Sequence, residues 1–476
     1  MNGPIRKVSI FVALLMAALL VNLTYGAVVR QDPLVENPLN RRVRDAEFSR
    51  DRGAILVGND AVALSEPSGN SSVPYVRTYT EGDIYAPVTG WFTRIHGVSG
   101  LEAEYSTELA GTDSGQSVTR LVDILTGRSP SGANLQTTLD ADAQRAAIKA
   151  LGDSRGGVVA LDYTTGAVLA LASTPSYDPN SLATLDTNAE IKQWNALLEA
   201  SDEPLKNRAT REVYPPGSTF KLITAAAAIE NGVKPTDTIP SPASLRLPNS
   251  SHSMGNSTNC GGETTTLEHA LAVSCNTAFG QLGLDLGPSA MRDMAERFGF
   301  NQDQTIDIQA AKSRYPEQAD EAQTALSSIG QFEVAASPLQ MAQVTATIAN
   351  DGKMMEPYIV SQVSTRDLQI LSSHTPRKLS QPISEATAKQ LQSMMITTVQ
   401  EGTGRPARVD GVVVGGKTGT AQSSPDRPNY AWFVGYSEDP QVAIAVFIED
   451  AGVSNDDISG GRLAAPVFRA VLEALR

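Results

Sequence analysis

The stretch YPPGSTFK, residues 214–221, contains a predicted helix start and two chemically active side chains, Ser218 and Lys221. Its prolines and Gly217 cannot continue a helix from upstream, and LITAAAAIE then favours a helix until Asn231–Gly232 ends it. Ser218 and Lys221 are three residues apart, so on that helix they share one face. A hydroxyl beside an amine at a helix N-terminus can be activated as a nucleophile, because the amine can accept its proton. An isolated SxxK is more often a capping serine and a surface lysine, so the interpretation needs support elsewhere in the chain.

Length and composition indicate a globular chain of two domains or more. Hydrophobic residues make up 41% of the 476 and charged residues 19%, which is too apolar for a disordered chain. The net charge is −14, and the long C-terminal part contains no Lys/Arg-rich cluster. A protein that binds nucleic acid needs a basic surface to pair with the phosphates. This composition does not provide one, so nucleic acid is excluded as a partner.

The amino terminus carries an apolar run without charges, residues 8–29. As a helix it would span ~33 Å, about the hydrocarbon thickness of a bilayer. Arg6 and Lys7 precede it, which favours a cytoplasmic tail at 1–7, although arginines also follow it. A cleaved signal peptide is the alternative, but the run is long for one and no clear cleavage site follows. We therefore expect a single-pass anchor in the cell membrane, with the rest of the chain extracytoplasmic.

Residues 30–135 are polar and rich in turn formers, with short strand-like pieces such as Ala54–Val57. No long amphipathic helix and no catalytic cluster is evident there. We expect a small β-rich segment, here called the pedestal, that serves spacing or partner binding.

The character of the sequence changes at the start of a domain predicted for residues 136–476. A helix capped by Asp140 is followed by two apolar runs that a Thr-Thr-Gly turn joins into a hairpin, Gly157–Ser173. A mostly helical block follows, with cap candidates at Ser289, Ser337 and Ser384.

The end of the chain returns to strands. The runs VVVGGKTGTAQ, YAWFVGY and QVAIAVFIED are separated by turn residues, and a final helix reads AAPVFRAVLEALR. This order predicts an α+β fold, in which both ends of the domain complete one antiparallel sheet around an all-α insertion.

Two further motifs raise SxxK above chance. Ser274-Cys275-Asn276 lies between helical pieces, and Lys417-Thr418-Gly419-Thr420 lies on a predicted strand whose glycines leave its backbone uncrowded. Taken alone, the SxN motif would be explained by a helix-capping serine and the KTG motif by a lysine on an edge strand. Together, in the order SxxK, SxN, KTG, the three indicate one active site.

Two cysteines, Cys260 and Cys275, lie in the part that the anchor would place outside the cytoplasm, where disulfides form. His252 and His269 lie nearby, so a zinc site and two free thiols are the alternatives. The spacings lack the tight pairs of structural zinc sites. Compartment and even count favour a disulfide.

The three motifs resemble those of the penicillin-binding proteins and serine β-lactamases. The resemblance covers roughly residues 135–476 and includes Gly157–Ser173, Gly330-Gln331 and Trp432–Tyr436. With an anchor and a pedestal of the dimerisation-domain kind, the chain looks like a class B penicillin-binding protein. A bifunctional class A protein would also need a glycosyltransferase domain, which residues 30–135 are too short to hold.

The resemblance implies a peptidoglycan D,D-transpeptidase that acts in cell wall synthesis and cell division. Ser218 would attack stem peptides ending in D-Ala-D-Ala and would be acylated by β-lactams. Lys221 would be its base, or would stay charged and only orient it. Ser274 would relay a proton to the leaving nitrogen, with Lys417 tuning it.

The same resemblance implies the groups that bind substrate. Asn276 would bind the substrate's backbone amide, and Thr418 and Thr420 would hold its terminal carboxylate beside the uncrowded Gly419. The backbone N–H groups of Ser218 and Thr420 would form the oxyanion hole. No metal or organic cofactor is implied.

Other readings of the sequence remain open. A D,D-carboxypeptidase or a β-lactamase would hand the acyl group to water, and no ExxLN-like segment for a deacylating water is present. A non-catalytic division scaffold or β-lactam sensor would keep the fold without the chemistry. A separate glycosyltransferase or another division protein is the expected protein partner.

Overall fold

A computed structural model of the chain describes residues 2–28, 30, 48–71, 73–116, 131–423 and 427–476. Its α-helices are α1 Asn2–Val28, α2 Gly82–Thr89, α3 Gly100–Glu104, α4 Ser106–Leu109, α5 Ala141–Leu151, α6 Thr187–Glu199, α7 Lys221–Glu230, α8 Leu267–Ala272, α9 Asn276–Arg297, α10 Glu321–Ser327, α11 Pro338–Ala349, α12 Glu385–Gln400 and α13 Ala465–Ala474. Its strands are β1 Ile55–Val57, β2 Asp60–Asn70, β3 Val73–Tyr79, β4 Asn134–Thr137, β5 Arg155–Asp162, β6 Val168–Thr174, β7 Thr238–Pro240, β8 Ser244–Arg246, β9 Ser253–Gly255, β10 Thr264–Thr266, β11 Met354–Met355, β12 Val360–Ser364, β13 Ile370–Ser373, β14 Lys378–Ser380, β15 Val414–Ala421, β16 Tyr430–Ser437 and β17 Val442–Asp450.

Helix α1 is apolar over Gly3–Gly26, with a mean hydropathy of 2.2, and its described side chains are exposed. Among the described residues it is the one helix long and apolar enough to cross a membrane. It fits the predicted single-pass anchor. Residue 29 and residues 31–47, where the predicted anchor ends and the pedestal begins, lie outside the described residues.

The central sheet has the strand order β15-β16-β17-β5-β6, with every neighbouring pair antiparallel. Helix α11 packs on one face, and α5 and α13 pack on the other. Both faces are therefore covered, which explains why β5 and β17 read as nearly continuous apolar runs. The predicted hairpin and the final meander are confirmed. The insertion between them is mixed rather than all-α, because the short strands β7–β14 accompany its helices.

A second sheet joins the pedestal to the rest of the chain, in the order β13-β12-β4-β1-β2-β3. Strand β4 pairs in parallel with β1 and antiparallel with β12, which follows α11 far along the sequence. The predicted boundary at 135/136 falls inside β4. The pedestal is thus continuous by backbone hydrogen bonds with a hairpin of the C-terminal part.

Three of the four predicted helix caps are confirmed, at Asp140, Ser337 and Ser384, each of which accepts a backbone N–H of its helix. The fourth prediction, Ser289, is wrong. Helix α9 is broken at Gly287, which has a φ of 80°, and Pro288 begins the second segment. Glycine tolerates that left-handed φ and proline suits the first helical position, so the pair ends and restarts the helix without the serine.

Candidate active site

The nucleophile turn, Gly217–Phe220, is a 3-10 turn that runs directly into α7 at Lys221. Gly217 has a φ of 52°, and a Cβ there would lie 2.7 Å from the carbonyl oxygen of Thr420. Its N–H donates to the carbonyl of Gly330 at 3.0 Å. The turn is therefore pressed between the KTG strand and the loop that carries Gly330.

The segment before this turn is fixed by two further contacts. Tyr214 and Ala336 exchange both of their backbone hydrogen bonds, and the Trp432 indole N–H donates to the carbonyl of Pro215 at 3.0 Å. Two of the segments in the family resemblance, around Gly330 and Trp432, thus hold the turn in place.

Lys221 is fully buried at the start of α7. Its Nζ lies 2.7 Å from Asn276 Oδ1, 2.8 Å from the carbonyl oxygen of Ser274 and 3.2 Å from Ser274 Oγ. All three are neutral oxygens. The amine is thus solvated by the SxN loop and has no counter-ion in these contacts.

The SxN loop lies between α8 and α9, as predicted, with Asn276 as the first residue of α9. Ser274 has a φ of 64°, in the left-handed region. Its neighbour Cys275 is buried and forms a disulfide with Cys260, which confirms the predicted bond. The disulfide ties the middle residue of the loop to the segment before β10.

Lys417 reaches the same loop from the opposite side. It is fully buried on β15, and its Nζ lies 2.9 Å from Ser274 Oγ and 2.9 Å from the carbonyl oxygen of Thr418. Ser274 Oγ therefore contacts both amines. Since a hydroxyl has one donor and two acceptor positions, it can pass a proton between the two lysines. Lys221, Ser274, Asn276 and Lys417 are called the lysine cluster below.

Burial sets the charge state of this cluster. It lowers the pKa of Lys417 from 10.5 to about 7. Burial, and then the positive charge of Lys417, hold the pKa of Lys221 well below its ordinary value. Both effects favour the neutral amine, so Lys221 is suited to accept a proton.

Ser218 stands beside the lysine cluster rather than inside its hydrogen-bond network. Its side chain is part-exposed, and no described residue hydrogen-bonds its hydroxyl. On a 3-10 turn, residues three apart eclipse one another, so Ser218 lies over Lys221 along the turn. Four of the five predicted catalytic residues, those of the lysine cluster, thus converge directly, and the fifth, Ser218, is open toward solvent.

The KTG strand β15 is the edge of the central sheet, and its outer side faces the nucleophile turn. Thr418 is buried and Thr420 is exposed, with side chains on one face because they are two apart. Thr418 Oγ1 lies 2.6 Å from Thr403 Oγ1. The sequence motifs do not include Thr403, although the glycines on both sides of it mark a closely packed loop.

Comparison with known families matches both parts of the chain. The model of the penicillin-binding protein transpeptidase domain matches residues 156–473, and that of the penicillin-binding protein A dimerisation domain matches residues 52–135. The peptidoglycan D,D-transpeptidase PbpA of Mycolicibacterium smegmatis is 41% identical, over 100% of this chain and 99% of the relative. PbpA of Mycobacterium tuberculosis is 38% identical over the same shares.

Solved structures agree with these relatives. The crystal structure of penicillin-binding protein A from M. tuberculosis has a TM-score of 0.86 and 37% identity, over 90% of this chain and 100% of that chain. Its penicillin G acyl-enzyme complex has a TM-score of 0.85 and the same identity and coverage. The family models, the relatives and the fold lead to one conclusion: the chain belongs to the class B penicillin-binding proteins.

Proposed function

We propose that this chain is a membrane-anchored peptidoglycan D,D-transpeptidase that cross-links stem peptides through an acyl-enzyme on Ser218. The observation that carries the proposal is the burial of Lys221 without a counter-ion, three residues after a part-exposed serine. A neutral amine there is a base for the hydroxyl. The printed names of the PbpA relatives support peptidoglycan as the substrate.

In the first step, Ser218 Oγ attacks the carbonyl carbon between the two terminal D-alanines. Its proton goes to Lys221, and a bond forms between Oγ and that carbon. The oxyanion is held by the N–H groups of Ser218 and Thr420, an assignment supported by the position of β15 as an edge strand beside the turn.

In the second step, the C–N bond breaks and the leaving D-alanine nitrogen takes up a proton. The route is from Lys221 through the Ser274 hydroxyl, which lies within hydrogen-bond distance of both lysines. An amine of a neighbouring stem peptide then attacks the ester carbonyl. It loses a proton to Lys221 and forms the new C–N bond, the bond between that carbon and Ser218 Oγ breaks, and Lys221 returns the proton to Ser218.

Substrate-binding roles are proposed for the remaining motif residues. Asn276 already uses Oδ1 for Lys221 and Nδ2 for the carbonyl of Gly255, which leaves one N–H and one lone pair for a substrate amide. Thr418 and Thr420 present hydroxyls to the terminal carboxylate. Gly419 keeps the strand uncrowded, because a Cβ there would lie 2.9 Å from the Thr219 methyl group.

The proposal is tested with a donor peptide ending in D-Ala-D-Ala and an excess of an acceptor amine. We expect release of D-alanine together with an aminolysis product, and loss of both in Ser218→Ala. Ser393→Ala, an exposed serine on α12, is the matched control and should behave as wild type. Release of D-alanine without any aminolysis product would mean that the protein is a D,D-carboxypeptidase and not a transpeptidase.

The membrane arrangement is part of the same proposal. Helix α1 anchors the chain, and the remainder faces the cell wall, where a disulfide such as Cys260–Cys275 forms. A glycosyltransferase that supplies the glycan strands stays a prediction from the sequence. Protease added to intact spheroplasts should degrade everything beyond the anchor; full protection would reverse the orientation.

A further inference from the structure

The Thr403–Thr418 pair couples a loop outside the three motifs to the carboxylate-binding end of the site. The two hydroxyl oxygens are 2.6 Å apart, and no other described hydrogen bond involves the Thr403 hydroxyl. Thr403 follows α12 in the run Glu401-Gly402-Thr403-Gly404.

The loop is placed by contacts with the SxN segment. The Thr403 N–H donates to the carbonyl of Ala272, two residues before Ser274, at 3.1 Å. A Cβ on Gly402 would lie 2.2 Å from that same oxygen, so the close approach requires glycine. The backbone of Thr403 thus hydrogen-bonds the end of α8, just before the SxN loop, and its side chain hydrogen-bonds the KTG strand.

We propose that Thr403 is a positioning residue that makes Thr418 a hydrogen-bond donor to the substrate carboxylate. Each hydroxyl has one proton to donate, and an ionised carboxylate can only accept. If Thr418 donates to the carboxylate, the Thr403–Thr418 contact requires Thr403 to donate. Thr403 thereby fixes the direction of both hydrogen bonds and strengthens the second one.

The arrangement determines specificity for the chemistry of the terminus. A carboxamide has donors as well as an acceptor, so it can pair with Thr418 whichever way that hydroxyl points. A carboxylate lacks this freedom. Thr403 therefore favours acyl donors with a free terminal carboxylate over those with a carboxamide. This inference rests on the proposed function of Thr418.

The test uses the full chain in detergent and measures the second-order acylation rate by mass spectrometry. The probes are penicillin G and the derivative whose carboxylate is replaced by a carboxamide. We expect Thr403→Val to slow acylation by penicillin G about five- to tenfold, the size of one hydrogen bond between neutral groups, and by the carboxamide less than about twofold. Thr403→Ser keeps a hydroxyl and should restore the wild-type preference.

Controls separate positioning from structure. Thr397 lies on α12, just before the Thr403 loop, and its hydroxyl donates to Glu268 and to the carbonyl of Ser393 rather than to β15. Thr397→Val removes this hydroxyl, and both probes should react as with wild type. Equal slowing of the two probes by Thr403→Val, or no slowing, would overturn the inference. If Thr403→Val does not fold, Thr403→Ala and Thr403→Ser give the same comparison. Failure of the proposed acyl-enzyme on Ser218 looks different, because wild-type protein would then not be acylated at all.

Discussion

Buried cations occur in two regions of the molecule, with opposite surroundings. In the pedestal, Arg52 and Arg77 share the buried carboxylate of Glu102, each through a 2.6 Å contact. In the lysine cluster, Lys221 and Lys417 are equally buried but hydrogen-bond only neutral oxygens. The first arrangement pairs its cations with a carboxylate, whereas the contacts of the second contain no carboxylate.

The pKa directions follow from this difference. Burial alone would raise the pKa of Glu102, but the charges of Arg77 and Arg52 outweigh it and lower the pKa. No carboxylate opposes burial in the contacts of the two lysines, so their pKa values fall. A buried cation with a counter-ion holds structure together, whereas a buried amine without one is available for proton transfer.

The largest expected effect comes from removing the amine of Lys221. Lys221→Met fills a similar volume without a charge, so we expect acylation by penicillin to fall about 10⁴-fold, because the serine loses its base. The free energy of unfolding should fall by about 1–2 kcal/mol, because hydrogen bonds to Ser274 and Asn276 are lost but no ion pair is broken. Stopped-flow acylation and denaturant unfolding measure the two quantities.

The matched control for this substitution is Lys192→Met, an exposed lysine on α6, which should leave both quantities unchanged. Near-normal acylation by Lys221→Met would mean that this amine is not the base. A loss of several kcal/mol of stability would mean that the lysine is structural, like the pedestal arginines.

The reverse pattern is expected at Glu102. Glu102→Gln leaves two buried guanidinium groups without a counter-ion, which costs about 3–5 kcal/mol of unfolding free energy. Acylation by the molecules that remain folded should stay within about twofold of wild type, because the pedestal carries no catalytic group. Denaturant titration and active-site titration with labelled penicillin give the two numbers.

Glu104→Gln, an exposed carboxylate two residues further along, is the control for the loss of one negative charge. Equal small effects of both substitutions would erase the distinction drawn between the two regions.

A smaller effect, up to about tenfold per pH unit, is expected from acid. The lysines bind protons in the folded state only below their lowered pKa values, about 7 for Lys417. Acylation should therefore reach its plateau well below the ordinary lysine pKa and fall on acidification, as Lys221 takes up a proton. Rates that keep rising toward the ordinary lysine pKa of 10.5 would contradict a lowered pKa for Lys221.

Stability should respond in other pH windows. Between about pH 7 and 10.5 the unfolded chain holds the Lys417 proton and the folded chain does not, so this lysine makes stability rise with pH there. Glu102 has a lowered folded pKa, so its contribution is present above the ordinary value of 4.5 and is lost as pH falls below it. Acylation should thus decline before the pedestal weakens, which parallel rate and unfolding measurements at each pH would check.

Local patterns predicted much of this molecule. The helix after Pro215-Pro216, the hairpin 157–173 and the strand carrying Lys417 follow from turn residues and apolar periodicity within short windows. The disulfide followed from compartment and cysteine count. Each of these elements is determined mainly by residues close to one another in the sequence.

Long-range associations were beyond such patterns. Nothing local brings β12 to β4, because strand pairing over that distance depends on how the whole chain packs. Thr403 escaped notice for the same reason, since its partner Thr418 lies in another segment. The meeting of Ser274 with Lys417 was anticipated from family resemblance, and spacing alone would not have supplied it. The break in α9 does follow a local rule, since Gly287 and Pro288 end and restart a helix, whereas the sequence prediction placed the cap at Ser289.

Peptide mapping after incubation of the full chain with penicillin G tests the central claim, that Ser218, beside the buried amine of Lys221, is the nucleophile. The account predicts one penicilloyl group per molecule, on the peptide that contains Ser218, and none in Ser218→Ala. Stoichiometric modification of Ser218→Ala, or a label mapped to another residue of the wild-type chain, would contradict it.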